Sequence, residues 1–153
     1  MRHWLLKSEP DVFGIDDLAR APRKTTCWDG VRNYQARNFM REMKRGDLAF
    51  FYHSNCAEPA IVGIVRVVKE AYPDHTAFDP RDPHYDPGST PDAPRWYMVD
   101  VKLERKLKRP ITLAEMRAHA DRDLAGFLLL RRGNRLSVLP VSDEHWRFIL
   151  AME

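Results

Sequence analysis

The sequence predicts an α+β domain built around one curled, mixed β-sheet. Three observations support this prediction. About five or six segments, several of them rich in valine, have the pattern of strands. Helix signals are inserted between these segments at intervals. No linker, internal repeat or low-complexity tract divides the 153 residues, so we expect a single domain over residues 1–153.

The first part of the chain alternates a strand with two helices. His3–Lys7 has the side-chain alternation of a short strand, and Ile15–Arg20 is predicted to be a short helix. Asp29 and Gly30 can cap and turn into a further helix that runs to about Met43. Its N-terminus would present unpaired backbone N–H groups to a ligand.

Two long strands and a long loop occupy the middle of the chain. Leu48–His53 is predicted to be a buried strand, and Ala60–Ala71 a strand antiparallel to it with a bulge at Gly63. Tyr72–Arg95 holds six of the eleven prolines and is predicted to be a long irregular loop. Trp96–Leu107 alternates as a third long strand.

The last third carries two helix starts. Thr112 and Glu115 fit a capping box, and Ser142 can cap a terminal helix that follows the strand Leu136–Val141. The residues expected to be largely buried in one sheet are Trp4, Leu6, Leu48, Phe50, Val62, Ile64, Val99, Val101 and Val138.

The charges are unevenly distributed. The formal net charge is +3. Residues 20–45 include eight basic and two acidic side chains, whereas residues 70–100 include seven acidic and two basic ones. This asymmetry favours a polyanionic partner such as nucleic acid, although solvated helix and strand faces also produce such runs.

Several classes of protein are disfavoured. Cys27 and Cys56 are too few for a disulfide framework, which favours a reducing, cytoplasmic location. No apolar stretch has the length of a signal peptide or a membrane span, so we expect no membrane partner. We also expect a monomer.

Metal binding and catalysis have weak sequence support. Asp79, Asp82, His84 and Asp86 match no defensible metal motif, so we expect no metal and no cofactor. Cys27, His53 and Asp29 could act as nucleophile, base and orienting group, or Glu9 as a general base. No Gly-rich elbow or helix start would activate Cys27, so we expect no catalytic residues.

The stretch Trp28–Asn38 has the strongest functional pattern. Its sequence, WDGVRNYQARN, combines an indole with amide and guanidinium groups, which suit a flat polar ligand. The alternative is an ordinary amphipathic helix preceded by a buried tryptophan.

Three motifs resemble those of the EVE domain family. They are WLLKSEP at Trp4–Pro10, WDGVRNYQARN at Trp28–Asn38 and FYHSN at Phe51–Asn55. Further matches are Ala77–Pro80, Pro94–Trp96, Val99–Val101 and Leu129–Ser137. The resemblance covers nearly the entire chain and implies a PUA-like fold, a bent pseudobarrel, with a pocket for modified bases in DNA. Gly14 departs from the serine that many relatives have. Animal members carry a basic N-terminal extension that this chain lacks, so a bacterial origin is expected.

In a base-reading pocket, Trp28 would be the stacking platform, with Phe78 or Tyr34 as a second wall. Amide and hydroxyl groups would pair with the base edge, and arginines would contact phosphates. The predicted ligand-binding residues are Lys7, Ser8, Trp28, Val31, Arg32, Asn33, Tyr34, Gln35, Ser54, Asn55 and Phe78, and the predicted phosphate contacts are Arg37 and Arg131. The sequence therefore predicts a non-catalytic reader of modified DNA. The alternatives are an RNA-binding PUA-like protein and a small hydrolase or nucleic-acid-processing enzyme.

Overall fold

A computed structural model describes residues 1–153 as six strands and five α-helices. The strands are β1 (His3–Ser8), β2 (Thr25–Cys27), β3 (Leu48–His53), β4 (Ala60–Pro73), β5 (Tyr97–Thr112) and β6 (Val138–Val141). The helices are α1 (Pro10–Phe13), α2 (Ile15–Arg20), α3 (Tyr34–Glu42), α4 (Leu113–Arg117) and α5 (Asp143–Leu150). None of these helices has the length and apolar character needed to cross a membrane.

All six strands belong to one mixed sheet with the order β2-β5-β4-β3-β1-β6. The pair β1–β3 is parallel, and the other four pairs are antiparallel. The edge strands β2 and β6 are not paired with each other, so the sheet stays open. The predicted α+β class with a mixed sheet is confirmed.

The β4–β5 ribbon is irregular along its length. Its register shifts at four places, one of them between Ile61 and Gly63. A bulge bends a strand and increases its twist, so repeated bulges curl the sheet. The bulge predicted at Gly63 is confirmed. The Gly63 backbone also lies close to α2, because an added Cβ would stand 2.7 Å from the Ile15 side chain.

The apolar side chains form two clusters, one on each face of the same sheet. Trp4 and Leu6 belong to the cluster that α2 and α3 cover, whereas Leu5 belongs to the cluster that α4 and α5 cover. This is the alternation of a strand with both faces buried. Most of the predicted core is buried, while Leu48 and Val62 are only partly buried.

The predicted start of the central helix is wrong. Asp29 and Gly30 do not cap it, since α3 begins at Tyr34 and Asn33 caps it by accepting a hydrogen bond from the Ala36 N–H at 2.9 Å. Gly30 has a φ of +80°, in the left-handed region outside an α-helix. The chain before Asn33 is instead irregular and forms part of the pocket wall.

The predicted caps of the later helices are confirmed. Thr112 and Glu115 form the capping box of α4, and Ser142 caps α5. The predicted loop Tyr72–Arg95 contains a short 3-10 turn at His75–Phe78. Strand β2 and helix α1 were not predicted, because neither is long enough to show a period.

Candidate nucleic-acid interface

A pocket of about 720 Å³ opens at the carboxyl ends of the parallel strands β1 and β3. Five of the predicted ligand-binding residues line it: Lys7, Ser8, Trp28, Val31 and Ser54. The other lining residues are Glu9, Val12, Phe13, Thr26, Cys27, Asp29, Gly30, His84, Arg135 and Ser137. We call this space the Trp28 pocket.

The parallel pairing of β1 and β3 sets one wall of the Trp28 pocket. The Ser54 N–H donates to the Ser8 carbonyl at 3.0 Å, which brings the two strand ends together. The Ser8 hydroxyl donates to the Phe13 carbonyl at 2.6 Å and so holds α1 against β1. Burial lowers the pKa of Lys7, whose ammonium forms no ion pair and is available to a ligand.

Trp28 belongs to both the core and the pocket. Its backbone N–H donates to the Val99 carbonyl at 2.7 Å, and its ring packs edge-to-face on Phe51 with centroids 5.4 Å apart. Only 7% of the residue is exposed. The indole is therefore held in one orientation before any ligand arrives, which lowers the entropic cost of stacking on it.

Asp74 organises the segment after Trp28. The carboxylate is fully buried and accepts hydrogen bonds from Gly30 N–H at 2.8 Å and from Arg32 Nη1 at 3.0 Å. The Thr76 hydroxyl also donates to it at 2.6 Å. Burial alone would raise the pKa of Asp74, but these hydrogen bonds outweigh it and hold the pKa below its usual value. An ionised buried carboxylate thus ties Gly30 and Arg32 to the long loop.

The same loop reaches the pocket mouth through His84. An added Cβ at Gly30 would stand 2.7 Å from the His84 ring, so glycine is required there for space as well as for its positive φ. The Arg32 guanidinium donates to the His84 carbonyl at 2.8 Å and 3.0 Å. Arg32 therefore braces the loop against the Trp28 segment and does not line the pocket.

Other predicted ligand residues also have partners within the protein. The Asn55 amide donates to the Glu9 carboxylate, and Phe78 is partly buried at the end of the 3-10 turn. Neither side chain lines the Trp28 pocket. A ligand role for them stays a prediction that their present positions do not favour.

Tyr34 stacks with both Trp96 and Arg37. The Tyr34 ring lies 4.7 Å from that of Trp96, and the Arg37 guanidinium carbon lies 4.8 Å from the Tyr34 centroid. Arg37 also donates to the Arg95 carbonyl at 2.9 Å. These contacts order both side chains, while the 53% exposure of Tyr34 leaves it accessible to a partner.

A smaller groove of about 290 Å³ adjoins the Trp28 pocket. The predicted residues Asn33, Gln35 and Arg131 line it together with Arg132 and Arg135. Arg135 lines both spaces, so the groove lies next to the pocket. The three arginines are exposed and form no ion pair, which leaves their guanidinium groups available for phosphates.

Cys27 and His53, the candidate nucleophile and base of an enzyme, are not paired with each other. Burial raises the pKa of the Cys27 thiol, with Asp29 adding to the effect. His53 Nε2 accepts a hydrogen bond from the Ile15 N–H at 3.1 Å, and burial lowers the pKa of the ring. The thiol is therefore kept protonated, and the histidine nitrogen that could serve as a base is occupied.

The acidic loop does not assemble a metal site. No group of three or more His, Cys, Asp or Glu side chains is placed to hold a metal ion. Asp82 accepts a hydrogen bond from the His84 N–H at 2.8 Å, and Asp86 accepts one from the Trp96 indole at 2.6 Å. These carboxylates hold the turns of the loop.

Sequence reasoning missed much of the pocket lining. The sequence indicates Asp29 only as a helix cap and as an orienting group, and it gives no signal that Ser137 lines the pocket. Ser137 reaches the site because its carbonyl accepts a hydrogen bond from the Lys7 N–H at 2.9 Å. Arg135 had a local signal, since it belongs to the basic turn 131–135.

Comparison with known proteins shows the family to which this chain belongs. A family model described as the EVE domain matches residues 2–152. Thymocyte nuclear protein 1 of Homo sapiens is 52% identical over 165 residues, which cover 99% of this chain and 73% of that protein.

Solved structures give the same result. Human THYN1 protein, in a crystal structure in complex with 5-methylcytosine containing DNA, superposes with a TM-score of 0.96 at 50% identity and covers 99% of this chain and 97% of its own. A Pseudomonas putida protein superposes with a TM-score of 0.93 at 46% identity and covers 98% of both chains. Since relatives come from both animals and bacteria, the bacterial, cytoplasmic origin stays a prediction. The chain belongs to the EVE domain family, as its motifs predicted.

Proposed function

We propose that this protein reads modified bases in DNA by holding an extruded base in the Trp28 pocket. The observation that carries the proposal is the pocket itself, whose lining combines one ordered indole with the Lys7 and Ser54 side chains, which have no partner within the protein. The human relative, crystallised with 5-methylcytosine containing DNA, supports DNA as the partner.

The size and lining of the pocket suit a nucleobase. Its volume of about 720 Å³ lies within the ~300–1,000 Å³ typical of small-molecule sites. Trp28 and Val31 supply apolar surface for the ring and for a methyl substituent. Lys7, Ser8 and Ser54 supply polar groups for the base edge.

The energetics also suit base extrusion. Turning a base out of a duplex costs about a few kcal/mol, and a single strand avoids most of that cost. Stacking on an aromatic side chain returns roughly 1–3 kcal/mol. Because Phe51 already fixes the Trp28 ring, little of this gain is lost in ordering the platform.

We propose that the groove next to the pocket holds the phosphates that flank the extruded base. Arg131, Arg132 and Arg135 are exposed there without acidic partners. Arg37, the other predicted phosphate contact, already stacks on Tyr34 and donates to the Arg95 carbonyl. The three groove arginines are therefore the better candidates.

We further propose that the protein binds without turnover. The raised pKa of Cys27 and the occupied Nε2 of His53 support this part of the proposal. RNA is the second possible ligand, and no contact in the pocket specifically favours reading a 2′-hydroxyl.

The experiment titrates matched oligonucleotides at one fixed salt concentration. Single-stranded and duplex DNA, each with one 5-methylcytosine or one cytosine, are compared with the RNA equivalents. We expect the methylated DNA to bind most tightly. Tighter binding of the RNA would show that RNA is the ligand and would refute this proposal. Equal affinity for all the oligonucleotides would show that the protein binds nucleic acid through its basic surface alone.

Trp28 variants then test the pocket. Trp28→Ala should lose affinity for the methylated strand by about 1–3 kcal/mol, and Trp28→Phe, which keeps a ring, should lose less. Trp28→Ala also risks ~3–5 kcal/mol of stability through cavity formation. Each variant is therefore checked for folding before it is titrated. A folded Trp28→Ala protein that binds like the parent would refute the proposal.

A further inference from the structure

Asp29 is the acidic side chain that follows the stacking platform. Its backbone is fixed on both sides, because the Trp28 N–H donates to the Val99 carbonyl at 2.7 Å and the Gly30 N–H donates to Asp74 at 2.8 Å. Asp29 is one of the residues that line the Trp28 pocket, and it is exposed there. The backbone that carries this carboxylate is therefore held in place at the pocket.

The protein supplies no partner for this carboxylate. Asp74, which bonds to the next residue along the chain, accepts four hydrogen bonds, from Gly30, Arg32 and both donors of Thr76. Asp29 forms no hydrogen bond and no ion pair, and desolvation by the surrounding pocket wall and the nearby Asp74 charge both raise its pKa. Asp29 is exposed, so water hydrates its carboxylate in the free protein, and a donor brought by a ligand can replace that water.

The functional groups of the pyrimidine bases indicate which donor Asp29 would accept from. 5-Methylcytosine and thymine carry the same 5-methyl group and differ at position 4, where cytosine has an amine that donates and thymine a carbonyl that accepts. A carboxylate accepts a hydrogen bond from the cytosine amine, whereas the thymine carbonyl would place two acceptors against each other. Lys7, on the β1 side of the pocket, supplies a donor for the acceptor atoms of the ring.

We propose that Asp29 accepts a hydrogen bond from the 4-amine of the bound base, so that the site selects 4-aminopyrimidines over 4-oxopyrimidines. This inference rests on the proposed function and deepens it. In this arrangement, Trp28 and Val31 contact the 5-substituent of the base, while Asp29 gives the site its preference for a pyrimidine with a 4-amine.

The test uses single-stranded DNA oligonucleotides that differ at one central position, occupied by 5-methylcytosine, cytosine or thymine. Single strands remove the differences in pairing that a duplex would add. Dissociation constants are measured for the parent, for Asp29→Asn and for Asp121→Asn. Asp121 is exposed and lines none of the pockets described, so its substitution is a control with the same change in charge.

We expect the parent to prefer 5-methylcytosine over thymine by roughly tenfold to a hundredfold. Asp29→Asn should lose most of that preference, because an amide can donate to the thymine carbonyl as well as accept from the cytosine amine. Asp121→Asn should keep it. Circular dichroism of the three proteins confirms that they are equally folded.

Two results would overturn the inference while leaving the proposed function standing. One is a parent that prefers 5-methylcytosine over cytosine but binds thymine equally well. The other is an Asp29→Asn protein that keeps the full preference over thymine. A parent that does not distinguish 5-methylcytosine from cytosine would instead contradict the proposed function itself.

Discussion

Replacing Asp74 by asparagine tests whether one buried carboxylate holds the pocket wall together. The parent side chain accepts four hydrogen bonds, from Gly30 N–H, Arg32 Nη1, Thr76 N–H and the Thr76 hydroxyl. An amide keeps one acceptor oxygen and turns a donor toward groups that are themselves donors. The substitution therefore removes the charge that pairs with Arg32 and leaves some of these donors unsatisfied.

The expected loss in the free energy of unfolding follows from these contacts. Breaking a buried ion pair from one side costs about 3–5 kcal/mol. The Arg32 side chain is 21% exposed and keeps its bonds to the His84 carbonyl. We therefore expect the lower end of that range, about 3 kcal/mol. With a urea dependence of about 2 kcal/mol per molar, the midpoint of unfolding should fall by roughly 1.5 M.

Urea denaturation at several pH values measures this loss. Since the folded-state pKa of Asp74 lies below its ordinary value of 3.8, the carboxylate stabilises the fold above that value and loses its effect as pH falls through the folded-state pKa. The difference in the free energy of unfolding between the parent and Asp74→Asn should therefore become smaller at acidic pH. Asp92→Asn, an exposed change in the same loop, should stay within about 0.5 kcal/mol of the parent. A loss below about 1 kcal/mol for Asp74→Asn would refute the role assigned to it.

Three further substitutions separate structural from functional roles. Asp29→Asn should raise the urea midpoint at pH 7, because a carboxyl whose folded-state pKa is raised destabilises the fold once pH exceeds its unfolded value; a lower midpoint would show that the carboxylate has a partner after all. Asn33→Ala should cost about 1 kcal/mol in urea denaturation, since it removes the cap of α3. If Asn33 also reads the base edge as predicted, discrimination between methylated and unmethylated strands should fall too. Cys27→Ser should leave fold and binding nearly unchanged, and the parent thiol should react slowly with disulfide reagents near neutral pH because burial raises its pKa; turnover of an oligonucleotide that vanishes in this variant would establish catalysis.

Local sequence patterns were sufficient to predict five of the six strands and most helix starts. Alternation along β1 placed Trp4 and Leu6 on one face and Leu5 on the other, as the two clusters confirm. The capping box at Thr112 required only two residues three positions apart. Such features depend on neighbours within one turn or one strand, which a sequence displays directly.

The pocket wall could not be predicted in the same way. The stretch after Trp28 has the composition of a helix start, yet Asp74 bonds to Gly30 from 44 positions away and holds it at a positive φ. His84 closes over that glycine from the same distant loop. Where a contact across the fold overrides local preference, the sequence indicates the chemistry present without its position.

The motifs shared with the family did locate part of the site. Lys7, Ser8 and Ser54 meet because β1 and β3 are parallel neighbours whose carboxyl ends coincide. Arg32 and Asn55 lie in the same motifs, but they support the loops around the pocket. A motif thus identifies the residues of a site together with those that hold its walls, and only their hydrogen bonds separate the two groups.

The most direct test of the account is to locate the methyl group of the bound base. A single-stranded oligonucleotide with one 5-methylcytosine, labelled with ¹³C in its methyl group, is bound to the protein, and nuclear Overhauser effects from that methyl are recorded. We predict effects to the Trp28 indole and to the Val31 methyl groups, which line the pocket. At saturation, effects only to residues of the neighbouring groove, or none to the protein, would contradict the claim that the base enters the Trp28 pocket.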